Sequence, residues 1–327
     1  MRPPGGDDPG VEGRGSTGDA VGEGDLGAEV ADPWGVPSVV HLRAAGTSLL
    51  LVADAPGVPR VLHWGGDLGD LSVDETEALA LAVASGGAGG APGSPLLSSG
   101  PLLEDDRGSD PARGPGPGLL LVPGRGAPAP APVLERRAAS LGVTRSGAQR
   151  LAVRSQDAAL GLLVDVQVDL ASTGAVRLRA SAVVRADGPV RLRGLRLALP
   201  VPAVGRQVLV DIGGRLRPAR SLRPTGAAPA STGRSGDAVV VQTAGLGPEE
   251  LWAMASSAGR GSLMGDPARS PAVRAARLPG GALALVGGSD ASAQDGVLRW
   301  AAPELVAVHG GSWPHVRRRL DAALRPG

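Results

Sequence analysis

The chain of 327 residues has no cysteine, lysine, asparagine, phenylalanine or tyrosine, and its one isoleucine is Ile212. Without cysteine there is no disulfide, no thiol nucleophile and no thiolate-ligated zinc. Without lysine there is no Schiff-base amine and no phosphate-loop lysine. Because most of the missing residue types have AT-rich codons, the composition indicates a gene from a high-GC bacterium.

The chain also has no marked excess of either charge. Its 33 basic residues, all arginine, balance 32 acidic residues for a net charge of +1. Nucleic-acid-binding proteins carry a basic excess and often present aromatic platforms, and here tryptophan is the only aromatic residue. We therefore expect no nucleic-acid partner. The start of the chain lacks a basic segment followed by an apolar one, and prolines interrupt the uncharged run 78–103. We expect no membrane span and a cytoplasmic protein.

What the chain does contain is a succession of short apolar runs separated by glycine, proline and aspartate. The run from Leu163 to Leu170 alternates strictly between apolar and polar residues, which is typical of a half-buried strand. Several such runs predict a mainly β protein, a large antiparallel β-sandwich over residues 38–310 with one or two short helices. Residues 1–37 are rich in glycine and acidic residues, and we expect them to be disordered.

Two helices are predicted near the ends of the sandwich. Ser72 and Glu75 have the spacing of a capping box and predict a helix over residues 73–85. Residues 311–327 predict a linker helix whose apolar residues, Val316, Leu320 and Leu324, recur every four positions. This stripe must pack on the sandwich, bind a partner chain or stay exposed. We expect Leu320→Asp to leave the sandwich folded and to change the association state or the solubility of the protein.

The segment from Val39 to Ser72 predicts a hairpin with a polar corner at residues 46–48. Trp64, Asp67 and Asp70 are the candidate substrate-binding residues, because an indole beside short carboxylates is a common way to hold a sugar. The alternative interpretation is that Trp64 fills the core of the hairpin and the aspartates shape the turn. Both interpretations are open from the sequence.

No other pattern predicts a reactive site. The four histidines, at positions 41, 63, 309 and 315, lack the spacing of a helical metal site, and no carboxylate is placed to complete one. There is no G-x-S-x-G nucleophile elbow, and the glycine run at 86–90 is not followed by Lys-Ser or Lys-Thr. We expect no metal, no cofactor and no catalytic residue in this chain.

Several motifs occur in an order that resembles a known domain. They are Leu62–Gly65 followed by Asp67–Leu68, then Gly188–Ala203, Asp211–Arg215, Glu250–Ala255 and Pro303–Arg325. In this order they resemble the N-terminal β-sandwich domain of glycoside hydrolase family 36, the α-galactosidases. Two aromatic positions of the third motif differ, because Ile212 and Leu216 stand where the family has phenylalanine and tryptophan.

The resemblance implies α-galactoside metabolism without the catalytic centre. The family's two catalytic aspartates lie on a (β/α)₈ barrel that follows this domain, and a barrel needs about 250 residues. We therefore expect an α-galactosidase-like domain that is inactive alone, partnered by a catalytic barrel chain or by itself, with galactoside contact through Trp64, Asp67 and Asp70. The alternative is a stand-alone structural or carbohydrate-interaction module.

Overall fold

The structure is a computed structural model, and it describes most of the chain from residue 36 to residue 325. The described residues are 36–53, 57–85, 100–101, 120–123, 132–185, 190–201, 206–212, 215–218, 238–243, 250–257, 273–277, 283–293, 297–302 and 304–325. The disorder predicted for residues 1–37 therefore lies almost wholly outside the described residues.

Strands dominate the described residues. They are β1 Val39–Ala44, β2 Thr47–Val52, β3 Arg60–Gly66, β4 Gly100–Pro101, β5 Leu120–Pro123, β6 Glu135–Val143, β7 Gln149–Asp157, β8 Leu162–Leu170, β9 Val176–Arg185, β10 Val190–Val201, β11 Arg206–Ile212, β12 Arg215–Pro218, β13 Val239–Thr243, β14 Leu251–Ser256, β15 Arg274–Arg277, β16 Leu283–Ala293, β17 Val297–Ala301 and β18 Leu305–Gly310. The helices are α1 Val73–Ser85 and α2 Trp313–Ala323. The prediction of a mainly β protein with short helices is confirmed.

The largest layer is a ten-stranded sheet in the order β12-β11-β13-β14-β18-β9-β8-β7-β6, with β17 beside β18 along the same edge of β9. Strand β8 shows why the segment forms this sheet. Val164, Val166 and Val168 point inward and are buried, while Asp165 and Gln167 point to the opposite face. The alternation of apolar and polar residues in this segment therefore corresponds to the alternation of inward and outward side chains in β8.

Two four-stranded sheets, β1-β2-β3-β4 and β15-β16-β10-β5, cover the inner face of the large sheet. A single apolar core joins the three layers and includes Leu42 and Trp64 from the first small sheet, Leu199 from the second and Val166 from the large one. All the strand pairs of the described residues are antiparallel. The predicted large antiparallel β-sandwich is confirmed.

Helix α1 begins with the predicted capping box. The backbone nitrogen of Ser72 donates to the Glu75 carboxylate at 2.8 Å, and the backbone nitrogen of Glu75 donates to the Ser72 hydroxyl at 3.2 Å. These two bonds satisfy N–H groups that the first turn leaves without intrahelical partners. Neither α1 nor α2, the helices of the described part, combines the length and apolarity that crossing a membrane requires.

Helix α2 packs on the outer face of the large sheet. Val316 and Leu320 are buried in a second apolar cluster with Val306 and Val308 of β18. Of the three fates open to the apolar stripe, the structure shows the first. Because Leu320 is buried, the effect to expect from Leu320→Asp is loss of stability instead of a change of association state alone. Ser312 has the extended backbone of an N-cap, but its side chain makes no capping hydrogen bond.

Arginines anchor α2 at its middle and at its C-terminal end. From the middle of the helix, the Arg319 guanidinium donates to the carbonyl oxygens of Thr173 and His309 and to the hydroxyl of Thr47. At the C-terminal end, Arg177 donates to the carbonyl oxygen of Ala323 at 2.6 Å. The helix is therefore tied to β2, β18 and the turn before β9 as well as packed on the sheet.

Candidate functional site

The hairpin that carries the candidate residues turns earlier than its sequence indicates. Ala45 and Gly46 have φ values of 45° and 73°, the left-handed pair of a two-residue turn between antiparallel strands. The turn places Thr47 in β2 opposite Ala44, and Ser48 opposite Arg43. The predicted polar corner at residues 46–48 is thus one turn residue followed by two strand residues.

Residues that lie opposite one another on β1, β2 and β3 form rows across the sheet, and neighbouring rows face opposite sides of it. Leu42, Leu49 and Trp64 form one row, and all three are buried in the main core. The adjacent row contains Arg43 and Ser48, and its side chains point to the opposite face because side chains alternate along a strand. The segment after β3 folds over that opposite face, since the Leu68 backbone nitrogen donates to the Ser48 hydroxyl at 3.0 Å.

The structure therefore brings Asp67 and Asp70 together and places Trp64 elsewhere. The Trp64 side chain is 1% exposed and lies on the core side of the hairpin, as in the alternative interpretation. Asp67 and Asp70 meet at Arg43 on the other face. Contact of these residues with a galactoside remains a prediction.

Asp67 is almost fully occupied by its neighbours. Arg43 donates Nε to Oδ1 and a terminal nitrogen to Oδ2, each at 2.8 Å. The Gly69 backbone nitrogen and the Ser48 hydroxyl also donate to Oδ1, both at 3.1 Å. These hydrogen bonds, the Arg43 bond foremost, hold the pKa of Asp67 below its usual range. Asp67 is thus a charged group that orders the segment between β3 and α1.

Asp70 differs from Asp67 in its exposure. Its side chain is fully exposed and contacts the remaining terminal nitrogen of Arg43. An exposed carboxylate beside a guanidinium offers both a hydrogen-bond acceptor and a donor to a hydroxylated ligand. Of the candidate residues, Asp70 is therefore the one whose geometry leaves it accessible.

Residues outside the predicted motif hold this corner in place. The Gln149 side chain accepts from the Arg43 backbone nitrogen at 3.0 Å and donates to the Arg43 carbonyl oxygen at 2.9 Å. His41 Nε2 lies 3.0 Å from the Ser48 hydroxyl, which supports Asp67 in turn. Arg43 occupies a polar position in the alternating pattern of β1, which is a weak indication in the sequence that its side chain could hold the corner. Gln149 is 106 positions away and had none.

A second polar cluster lies where β3 meets the large sheet. Trp252 Nε1 donates to the carbonyl oxygen of Trp64 at 3.1 Å, and the ring of His309 lies 5.0 Å from that of Trp252. His309 is 6% exposed, its Nε2 has no hydrogen-bond partner among the described residues, and Glu250 lies 3.8 Å from that atom. Burial, with the neighbouring His63 and Arg319, lowers the pKa of His309 to about 4. The imidazole is therefore neutral near pH 7.

Metal binding finds no support in these clusters. The described residues contain no group of three or more histidine, aspartate, glutamate or cysteine side chains placed to hold an ion. At the junction of the sheets, His63 Nε2 lies 3.1 Å from the Gly66 carbonyl oxygen. His63 therefore takes part in a hydrogen bond within β3, and His309 packs against Trp252.

The three sheets define a class of fold, the large antiparallel β-sandwich. Among solved structures, the family 36 α-galactosidase AgaA A355E from Geobacillus stearothermophilus, in complex with 1-deoxygalactonojirimycin, has a TM-score of 0.54 with this chain at 13% identity. The similarity covers 86% of this chain and 42% of that one. The α-galactosidase AgaB from the same organism has a TM-score of 0.53 at 12% identity, covering 84% of this chain and 40% of its own.

At this identity the similarity shows the fold. No protein-family model matches the chain, and no curated protein sequence matches it. The chain spans about two-fifths of the length of the α-galactosidases that share its fold. The likeness is thus to one part of a larger enzyme.

Proposed function

We propose that this chain is the β-sandwich domain of an α-galactosidase-like glycoside hydrolase and acts in the cytoplasm with a catalytic domain held elsewhere. The observation that carries the proposal is the shared fold, which extends over 86% of this chain and 42% of an α-galactosidase of family 36. The order of motifs from Leu62 to Arg325 is a property of the sequence alone, and it supports the same assignment.

The carboxylates of the candidate site support a role other than catalysis. A retaining glycosidase needs two carboxyl groups about 5 Å apart, one of which stays protonated to act as the acid. Asp67 is held as a carboxylate by Arg43, which lowers its pKa instead of raising it. Asp70 contacts the same guanidinium and is fully exposed to water. Neither aspartate is therefore suited to act as the acid, which in this proposal the catalytic domain supplies.

The corner at Arg43 is then the part of the sandwich that meets the substrate. In this proposal Asp70 and Arg43 contact hydroxyl groups of a galactoside at the rim of the partner's site. Asp67 positions the segment that carries Asp70, and Trp64 supports β3 from the core side.

Activity of a native complex tests the proposal. An antibody raised against this chain is used to precipitate it from the cells that produce it. The precipitate is assayed with 4-nitrophenyl α-galactoside, with the β-anomer as control, beside the purified recombinant chain. We expect α-specific hydrolysis by the precipitate and none by the purified chain, since neither Asp67 nor Asp70 is placed to act as the acid.

Two results would contradict the proposal. A precipitate with no α-galactosidase activity would favour the stand-alone structural or carbohydrate-interaction module. Hydrolysis by the purified chain, abolished by changing a single aspartate to alanine, would place the catalytic centre inside this chain.

A further inference from the structure

A cavity of about 150 Å³ lies between α1 and β1, on the face of the hairpin that also carries Arg43. Eight residues line it, four of them apolar and four polar; these are Pro37, Val39, Leu71 and Val73, with Ser38, His41, Thr76 and Glu77. An apolar cavity of this volume accommodates a six-membered ring. The cavity is open to solvent, so a ring inside it keeps one edge in water.

The hydrogen bonds of Ser48 decide which nitrogen of His41 accepts. The Ser48 hydroxyl accepts from the Leu68 backbone nitrogen and donates its only proton to Asp67, which is charged. His41 must therefore donate from Nε2 to Ser48, which leaves Nδ1 as the acceptor of the ring. No described residue donates to Nδ1. Burial, together with the nearby Arg43, lowers the pKa of His41, so this acceptor persists at neutral pH.

We propose that this cavity binds the hydroxylated ring of one monosaccharide, with a hydroxyl donating to His41 Nδ1 and a ring face against Val39 and Val73. The choice of a galactose unit rests on the proposed function, whereas the ring and its donors follow from the cavity. His41 connects the cavity to the Arg43 corner, because Ser48 touches both His41 and Asp67.

The charges around the cavity select an uncharged ligand. Glu77 lines it, and Asp74 and Glu75 occupy the first turn of the same helix, α1. These carboxylates repel phosphates and carboxylates. They attract an ammonium ion, but all three are exposed to water, which screens that attraction, and only Glu77 lines the cavity. A neutral ring with hydroxyl donors satisfies His41 without burying a charge.

Filling the cavity from its rim tests the site without disturbing the core. Val73 and Leu81 are both 69% exposed on α1, and of the two only Val73 lines the cavity. Val73→Trp therefore occupies the cavity, and Leu81→Trp is the matched control. The purified full chain, labelled with ¹⁵N, is titrated at pH 7 with methyl α-D-galactopyranoside, cyclohexanol and cyclohexylammonium chloride.

With the galactoside we expect saturable shifts of the Val73 and Thr76 amides and of His41 Nδ1. Val73→Trp should weaken this binding at least tenfold, whereas Leu81→Trp should leave it within twofold. The site is overturned if no saturable shift appears, if both variants bind alike, or if cyclohexanol or cyclohexylammonium binds more tightly than the galactoside. The titration uses the isolated chain, so its failure is distinguishable from loss of activity in the precipitated complex.

Discussion

Trp252 donates its indole N–H to the carbonyl oxygen of Trp64 across 3.1 Å, and this buried bond joins the β1–β4 sheet to the large sheet. The two residues are 188 positions apart. A buried carbonyl without its donor costs about 1 to 3 kcal/mol. The bond is therefore a specific contribution to how the two layers are held together.

We expect Trp252→Phe to lower the free energy of unfolding more than Trp300→Phe does, by about 1 to 3 kcal/mol. Trp300 is the control because it packs against the same core and its buried Nε1 has no partner among the described residues. Urea unfolding followed by circular dichroism measures both. Equal losses would mean that the bond to Trp64 contributes nothing beyond packing.

Gly174 makes room for the guanidinium that anchors α2. Its φ is +75°, and a Cβ there would overlap the Arg319 guanidinium and lie 2.8 Å from the Thr47 hydroxyl. Gly147 has a φ of +77° with nothing within 4 Å of such a Cβ. Both alanine variants incur the left-handed penalty of about 1 kcal/mol. We expect Gly174→Ala to be less stable than Gly147→Ala by at least about 2 kcal/mol, measured by thermal and urea unfolding. Similar stabilities would show that Arg319 moves aside freely.

The buried His309 makes stability depend on pH. Its pKa is about 4 in the folded protein, against 6.5 for an unperturbed histidine. Between these values the unfolded chain binds a proton that the folded chain does not, so stability rises with pH from about 4 to about 6.5 and is fully present above that window. The contribution is at most about 3 kcal/mol.

Unfolding free energies measured across that window check the assignment to His309. We expect His309→Phe to flatten the slope, and His315→Gln, at an exposed position of α2, to leave it unchanged. An unchanged slope in the His309 variant would assign the effect to other groups.

Because α2 packs on the large sheet, a charge in its apolar stripe should lower the stability of the protein instead of only changing its association state. Leu320 is 2% exposed among Val306, Val308 and Val316, so an aspartate there is a buried unpaired charge. We expect Leu320→Asp to cost at least about 3 kcal/mol, and Ala322→Asp, on the exposed face of the same helix, to cost little. Size-exclusion chromatography and urea unfolding of both variants check this. A fully stable Leu320 variant with an altered association state would restore the partner interpretation.

Local patterns predicted the elements of this fold well. The alternation at Leu163–Leu170 became β8, and the spacing of Ser72 and Glu75 became a capping box. In each case the signal lies within a few residues of the chain, where backbone periodicity and capping chemistry act. The layer that each strand joins depends on contacts between distant residues, and those leave no such local trace.

The candidate site shows the limit of such patterns. Trp64 and Asp67 are three residues apart, and that closeness is why the sequence predicted one site for both. Trp64 is in a strand row that faces the core, whereas Asp67 belongs to a segment that folds back over the other face to reach Arg43. Proximity along the chain thus grouped residues that a sheet separates. The partner that orders the corner, Gln149, comes from another sheet.

The amide of Gln149 has a consequence for how this protein behaves in a crowded solution. Strand β1 is an edge of its sheet among the described strands, and an open edge is a template on which another chain can add a strand. Gln149 occupies both backbone hydrogen-bonding groups of Arg43 on that edge. A single side chain from a neighbouring sheet thereby prevents another strand from pairing with β1 at this residue, which opposes edge-to-edge aggregation.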